Sequence, residues 1–361
     1  MKKTLTLTAL VALFSAPALA ANMENPLYAP KTGEIYTKTG AGLMYKKADH
    51  SDAMKQNGKA GGTEFPIWRG AFDAGYGITE RLSVNGGIAW TQDDDIGRKG
   101  MNNGQLGLTY RILDGLDNEH GLIWDVYANA HLGGVMEMKG SYSSKGFKYD
   151  NYTNGRYGVY AGMKLGKTWD KFTFMGFAEL QQTFGNHNNL IDLRTGKDEA
   201  TKAAIAAGGA GNLKTACDAG NENACLAVAM LAITSQTDEL SVNLKSTLEF
   251  NTGFRAFYEL DEKWSFGGAF KFSTRENNGI KSVYTPLTGK ASDAANELAA
   301  KMSDMQDGWD EYVFTLSAAY NLTEWTQLVG YAEYTFDASE AQSQNGTDIK
   351  AEVGARVNMA F

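Results

Sequence analysis

Alternation of apolar and polar residues along most of the chain predicts an all-β fold, a transmembrane barrel of about twelve antiparallel strands. Three observations carry this expectation. From Asp348 to Phe361 the apolar residues Ile349, Ala351, Val353, Ala355, Val357, Met359 and Phe361 alternate with Lys350, Glu352, Arg356 and Asn358, among others. One face of such a strand suits hydrocarbon and the other a polar interior. The strands read in this way are joined by connections that alternate between short and long, as in spanning barrels. Mean hydropathy is -0.35, and no apolar run after the first twenty residues reaches the roughly 20 residues of a spanning helix, so lipid contact would have to come from alternation.

The N-terminus reads as an export leader. Met1-Lys2-Lys3 is a positive start, Leu5 to Phe14 an apolar stretch, and Ala18-Leu19-Ala20 a small-residue cleavage site. Residues 1–20 are therefore expected to be removed, leaving 21–33 as a periplasmic segment ahead of a barrel over 34–361. The formal net charge of -8 becomes -10 without Lys2 and Lys3. No basic block occurs, which argues against a nucleic-acid partner.

Twelve strands are predicted near 34–47, 65–78, 82–92, 103–113, 121–138, 154–167, 171–185, 241–260, 264–275, 309–322, 325–337 and 348–361. Short turns fall at Thr79 to Arg81, Asp114 to His120, Thr168 to Asp170, Asp261 to Lys263, and Thr323-Glu324. Long connections fall at 48–64, 93–102, 139–153, 186–240, 276–308 and 338–347. An even strand count with short turns on the periplasmic side places both termini there.

Facing then follows from phase. The outward set includes Val84, Ile88, Leu106, Leu108, Val126, Val159, Phe174, Leu244, Leu248, Phe270, Leu316 and Val353. None is charged, as expected where a midplane charge costs about 2–4 kcal/mol. Tyr45, Trp68, Trp90, Phe272 and Tyr334 lie near one set of strand ends, and Tyr110, Trp124, Tyr258, Trp264, Tyr320, Trp325 and Phe361 near the other. These are two aromatic girdles. The charges fall inward. Candidate lumen-lining residues are Arg69, Asp73, Arg111, Asp125, His131, Arg156 and Lys164 in the first half of the chain, and Glu179, Glu249, Arg255, Lys271, Arg275, Glu333 and Arg356 in the second. Lys245 is placed on the same face. They either pair within a narrow polar lumen or form a passage attracting anions.

Two loops carry helical sequence. Thr201 to Lys214 and Ala224 to Thr234 read as helix, turn, helix with glycine-rich breaks at 208–211 and at Gly220-Asn221. Cys217 and Cys225 flank the second break. In one continuous helix they would stand about 12 Å apart, too far to bridge, so the disulfide expected in an oxidising compartment requires the chain to fold back between them. Ser292 to Met305 reads as a further helix, with Leu298, Met302 and Met305 on one face, packing against that hairpin or lying over the pore mouth. Asp93-Asp94-Asp95 reads as a solvated loop, with weak Ca²⁺ or lipopolysaccharide bridging as the alternative.

Catalysis is not expected. Of four histidines only His131 falls within a strand, and Asp125, six residues away on the same face, lies roughly 20 Å from it. No G-x-S-x-G motif is present. No cofactor or metal is implied.

With its terminal Phe361, which resembles the assembly signal of bacterial outer-membrane barrels, residues 34–361 resemble that class as a whole. The resemblance implies an integral outer-membrane location, contact with lipid and lipopolysaccharide, and delivery by the barrel-assembly machinery. The string Ala216 to Leu226 (ACDAGNENACL) also resembles the cysteine-containing hairpin of Sel1-like repeats, in a single copy, and implies only a helical hairpin. The function expected is a porin-like channel or small-solute transporter, weakly anion-preferring. The alternative is a closed structural or surface-interaction barrel whose loop domain binds a partner.

Overall fold

A computed structural model describes residues 22–47, 67–93, 98–115, 120–131, 135–138, 141–142, 147–148, 157–184, 189–276, 280–304, 309–337 and 349–361. The expected leader, Asp94, Asp95 and Arg156 lie outside the described residues.

Twelve strands close into one antiparallel barrel. They are β1 (Ile35–Lys47), β2 (Ile67–Gly77), β3 (Leu82–Asp93), β4 (Arg98–Leu113), β5 (Leu122–His131), β6 (Gly158–Trp169), β7 (Phe172–Thr183), β8 (Thr247–Glu259), β9 (Trp264–Arg275), β10 (Trp309–Thr323), β11 (Thr326–Asp337) and β12 (Ile349–Ala360). Each pairs with the next, and β1 pairs with β12 through Leu43↔Val353 to seal the ring. Closure leaves no unpaired strand edge, which a spanning sheet requires.

The phase assignment holds along these strands. Leu106, Leu108, Ile88, Val159, Leu316 and Val353 are exposed on the outer wall, Leu316 at 69%. Large outward rings also touch across strands. Phe174, Phe254, Phe270, Phe314 and Phe336 form an oblique row with centroids 4.9 to 5.8 Å apart, cross-strand contacts that add to the backbone ladder. The turns are closed by side chains. Asp261 accepts the backbone N–H groups of Trp264 and Lys263, both at 2.8 Å. These donors, that of Trp264 foremost, hold its carboxyl below the ordinary carboxylate range.

Three boundaries differ from expectation. The strand expected over 241–260 is two strands in different sheets. Glu239–Leu244 belongs outside the barrel and only β8 is a stave, so Leu244 does not face lipid and Lys245 lies in the link between the two. Alternation could not reveal the change, because Leu240 and Val242, buried outside the barrel, share the even phase of outward-facing Leu248 and Phe250. The connection expected over 93–102 shrinks, since β4 begins at Arg98. That extension, Arg98-Lys99-Gly100-Met101-Asn102, holds a single apolar residue, too few to set a phase. The strand expected over 121–138 appears as β5 and Val135–Met138, both in one register on β4 (Gln105↔His131, Met101↔Val135).

At the end of the barrel opposite the termini, three long connections combine. Short strands at Ser141–Tyr142, Phe147–Lys148, Asn189–Asp192, Glu239–Leu244 and Ile280–Val283 form a separate five-stranded sheet. Helices α1 (Arg194–Ala206), α2 (Ala210–Asp218), α3 (Glu222–Thr234) and α4 (Lys290–Asp304) pack with it around Leu193, Leu213, Met230, Ile233, Leu240 and Leu298. The helical stretch expected over 201–214 divides within its expected glycine-rich break, at Gly208 and Gly209, whose φ values of 78° and 128° suit glycine. Helix α4 buries Ala291, Ala295, Leu298 and Ala299, so Leu298 of the expected apolar face packs inward, while Met305 lies outside the described residues.

Cys217 and Cys225 are bridged, with Cα atoms 4.5 Å apart, where α2 turns back into α3. Asn221 caps α3 by accepting the Ala224 N–H at 3.0 Å. Alkylation of unreduced protein followed by mass measurement is expected to find neither thiol modified; two alkylated cysteines would exclude the bridge.

Candidate pore and the segment inside it

The inward positions follow from register. Counting along each stave, Lys38, Arg111, Lys164, Arg255 and Arg356 fall in the half toward the short turns, with Asp73 and Asp125 as the acids of that half and Glu259 at its rim. Toward the long loops lie Glu179, Glu249, Glu333 and Glu352 with Arg69, Lys271 and Arg275. Among these positions basic residues predominate near the turns and acidic ones near the loops.

Most of these charges are engaged. Asp125 is fully buried and holds two cations, Arg111 Nε at 2.8 Å and Lys164 Nζ at 3.1 Å. Arg69 pairs with Glu352 at 2.6 Å, and Tyr331 donates its hydroxyl to the same carboxylate at 2.8 Å. Arg275 meets Glu249 through Nε and Nη2, at 2.9 and 2.8 Å. Asp73 accepts from Gln105, which accepts from the Tyr160 hydroxyl at 2.9 Å. Glu179 accepts from Asn251, and Glu333 from Thr315. His131 packs against the Tyr160 ring at 4.9 Å, opposite Gln105 and Gly158, well away from the Asp125 cluster.

Arg255 differs. It projects inward between Met175 and Ala269, is exposed to the lumen, and makes no hydrogen bond or ion pair among the described residues. Four of the five described arginines singled out from sequence are therefore paired, and Arg255 is the one without a direct partner among the described residues.

Residues 22–34 occupy the turn end of the lumen, a placement that sequence reasoning did not anticipate. Met23 and Leu27 are buried, while polar groups on either side bond to the wall. Glu24 is bound by Arg356 and accepts from Asn358 Nδ2 at 2.8 Å, with Lys38 Nζ 4.0 Å away. Backbone carbonyls of Met23 and Leu27 accept from Lys38 and Arg111, at 2.9 and 2.8 Å. Asn22 accepts from Gln327, and Asn25 donates to Thr173. The exit to β1 is fixed by Glu34, which accepts from the Tyr28 hydroxyl and the Lys31 N–H. Buried Met23 and Leu27 among polar neighbours were the available signal, but so short a spacing is too little to establish a period.

Above this plug the lumen opens into a cavity of about 340 Å³. Its walls include Lys38, Arg69, Asp73, Arg255, Glu333, Glu352 and Arg356, and Glu24 of the plug. Space exists because other inward positions are small: Gly40, Ala71, Gly267, Ala269 and Ser317. At Gly40 a Cβ would stand 2.9 Å from the Arg356 Cβ, so glycine there admits the arginine.

No family model matches the chain and no curated protein matches it. Among solved structures it is similar to "the COG4313 outer membrane channel from Pseudomonas putida F1", at 12% identity and a TM-score of 0.54, covering 93% of this chain and 98% of that one. This likeness shows the fold. The NanC porin (10% identity, TM-score 0.39, 89% and 98% covered) and the CymD monoaromatic hydrocarbon channel (10%, 0.36, 92% and 89%) align more loosely.

Proposed function

We propose that this chain is an integral outer-membrane channel for small solutes, weakly anion-preferring, with both termini and the short turns in the periplasm. The observation that carries this reading is the charged cavity of about 340 Å³ inside a closed twelve-stranded wall whose outer face is apolar. Twelve strands lie between the side-chain-filled eight-stranded barrels and the open sixteen-stranded ones, so the inward small residues decide whether a path exists. Phe361, whose N–H donates to the Ile35 carbonyl, would serve as the signal read by the barrel-assembly machinery. Lipopolysaccharide would meet the loop-side girdle of Trp68, Trp90 and Tyr334.

Planar-bilayer recording in a salt gradient tests this. Discrete conductance with a reversal potential of anion sign is expected; clear cation preference would leave a channel but remove the role given to the basic half. One observation favours a second reading. The plug is tied to the wall by several bonds, so a barrel that never conducts would be a structural or interaction barrel acting through its loop domain. Silence under all voltages would establish that alternative. The Sel1-like hairpin around Cys217 and Cys225 would then be part of the binding surface.

A further inference from the structure

We propose that the lumen cavity binds a small organic monocarboxylate at Arg255, and that Glu24 of the plug is a tethered carboxylate competing for the same basic basin. The inference rests on the reading of the lumen as a solute path. Glu24 shows what this part of the wall coordinates. Its side chain, 6% exposed, is held by Arg356 and Asn358 with Lys38 beside it. A carboxylate is therefore already the resident group of the basin.

Arg255 borders the same cavity with its guanidinium uncommitted, and Glu24, Arg356 and Glu333 are among the charges that act on it without contact. A planar guanidinium presents paired N–H donors matched to a carboxylate, so an uncommitted one facing a cavity is a ready donor site for a carboxylate. The room beside it comes from Gly267, Ala269 and Ser317. A volume of about 340 Å³ lies at the lower end for ligand pockets and suits a small molecule. Asp73 and Glu333 border the cavity without an ion pair among the described residues, and would repel a second negative charge. One carboxylate is favoured over two.

The experiment measures equilibrium binding of radiolabelled propionate, with succinate as comparator, to the full-length folded protein in detergent micelles. The same preparations are recorded in planar bilayers. Wild type should bind propionate more tightly than succinate. Arg255→Gln should weaken propionate binding by roughly ten- to hundredfold, the value of a charge-assisted hydrogen bond, and Arg255→Lys should retain part of it. Glu24→Gln should strengthen binding severalfold by removing the tethered competitor. Equal binding by wild type, Arg255→Gln and Arg255→Lys would overturn the proposal, as would absence of binding in both wild type and Glu24→Gln. Conductance without Arg255-dependent binding would refute the site and leave the channel standing. Arg255-dependent binding without conductance would establish the site and refute the channel.

Discussion

Replacing Asp125 with alanine is expected to destabilise the barrel by about 3–5 kcal/mol, the scale for removing one partner of a buried ion pair. Its carboxylate is the shared counter-ion of Arg111 and Lys164, whose side chains are 11% and 19% exposed. Without it two cations face each other across a register that places Asp125 directly between Arg111 of β4 and Lys164 of β6. The wall also loses its hold on the plug, because Arg111 donates to the Leu27 carbonyl and Lys164 reaches that of Pro26. Urea-driven unfolding from lipid vesicles, followed by the gel mobility of folded and unfolded forms, measures the loss. Asp125→Asn, which keeps the shape and drops the charge, should fall between wild type and alanine. An alanine variant with an unchanged midpoint would mean that the two cations find other partners or water, and that the cluster contributes little.

Much of the barrel was legible in the sequence because lipid on one side and polar lumen on the other impose a strict period of two. Leu106, Leu108 and Tyr110 stand on the outer wall of β4 for the reason that Thr109 and Arg111 stand inside it. Period alone does not say which sheet a strand joins. The chain leaves the loop-end sheet at Leu244 and enters the barrel at Thr247 without a change of phase, so the two strands read as one. The lumen was legible only in outline. Charge type and facing could be read, whereas pairing depends on neighbours distant in sequence, such as Arg69 with Glu352 and Glu24 with Arg356. The cavity is written in the smallness of Gly40, Ala71 and Gly267, and these residues also fit a plain tight-packed sheet. Nothing in so short a segment as 22–34 has a periodicity to betray its place inside the wall.

That segment is the basis of the remaining prediction. Deleting residues 22–30, with residues 1–21 retained, is expected to raise single-channel conductance severalfold and to strengthen anion preference. Removal takes away the buried Met23 and Leu27 that fill the turn end, and it leaves Arg356 and Lys38 without the Glu24 carboxylate. The basic half of the wall would then face water with Asp73 and Asp125 as its acids and Glu259 at the rim. Folding should survive, because the ring closes through β1 and β12 and not through the plug; registers such as Leu43↔Val353 and Lys38↔Asp73 do not involve residues 22–30. Gel mobility of the folded form checks this before recording. Salt dependence separates the two contributions. A widened path raises conductance at every ionic strength, whereas the uncovered positive charge shifts the reversal potential most at low salt, where screening is weakest and the Debye length reaches about 30 Å at 0.01 M. Unchanged conductance in a folded deletion variant would place the narrowest point of the path elsewhere, at the loop end, and would make the plug a brace for the Asp125 cluster and not a barrier to solutes.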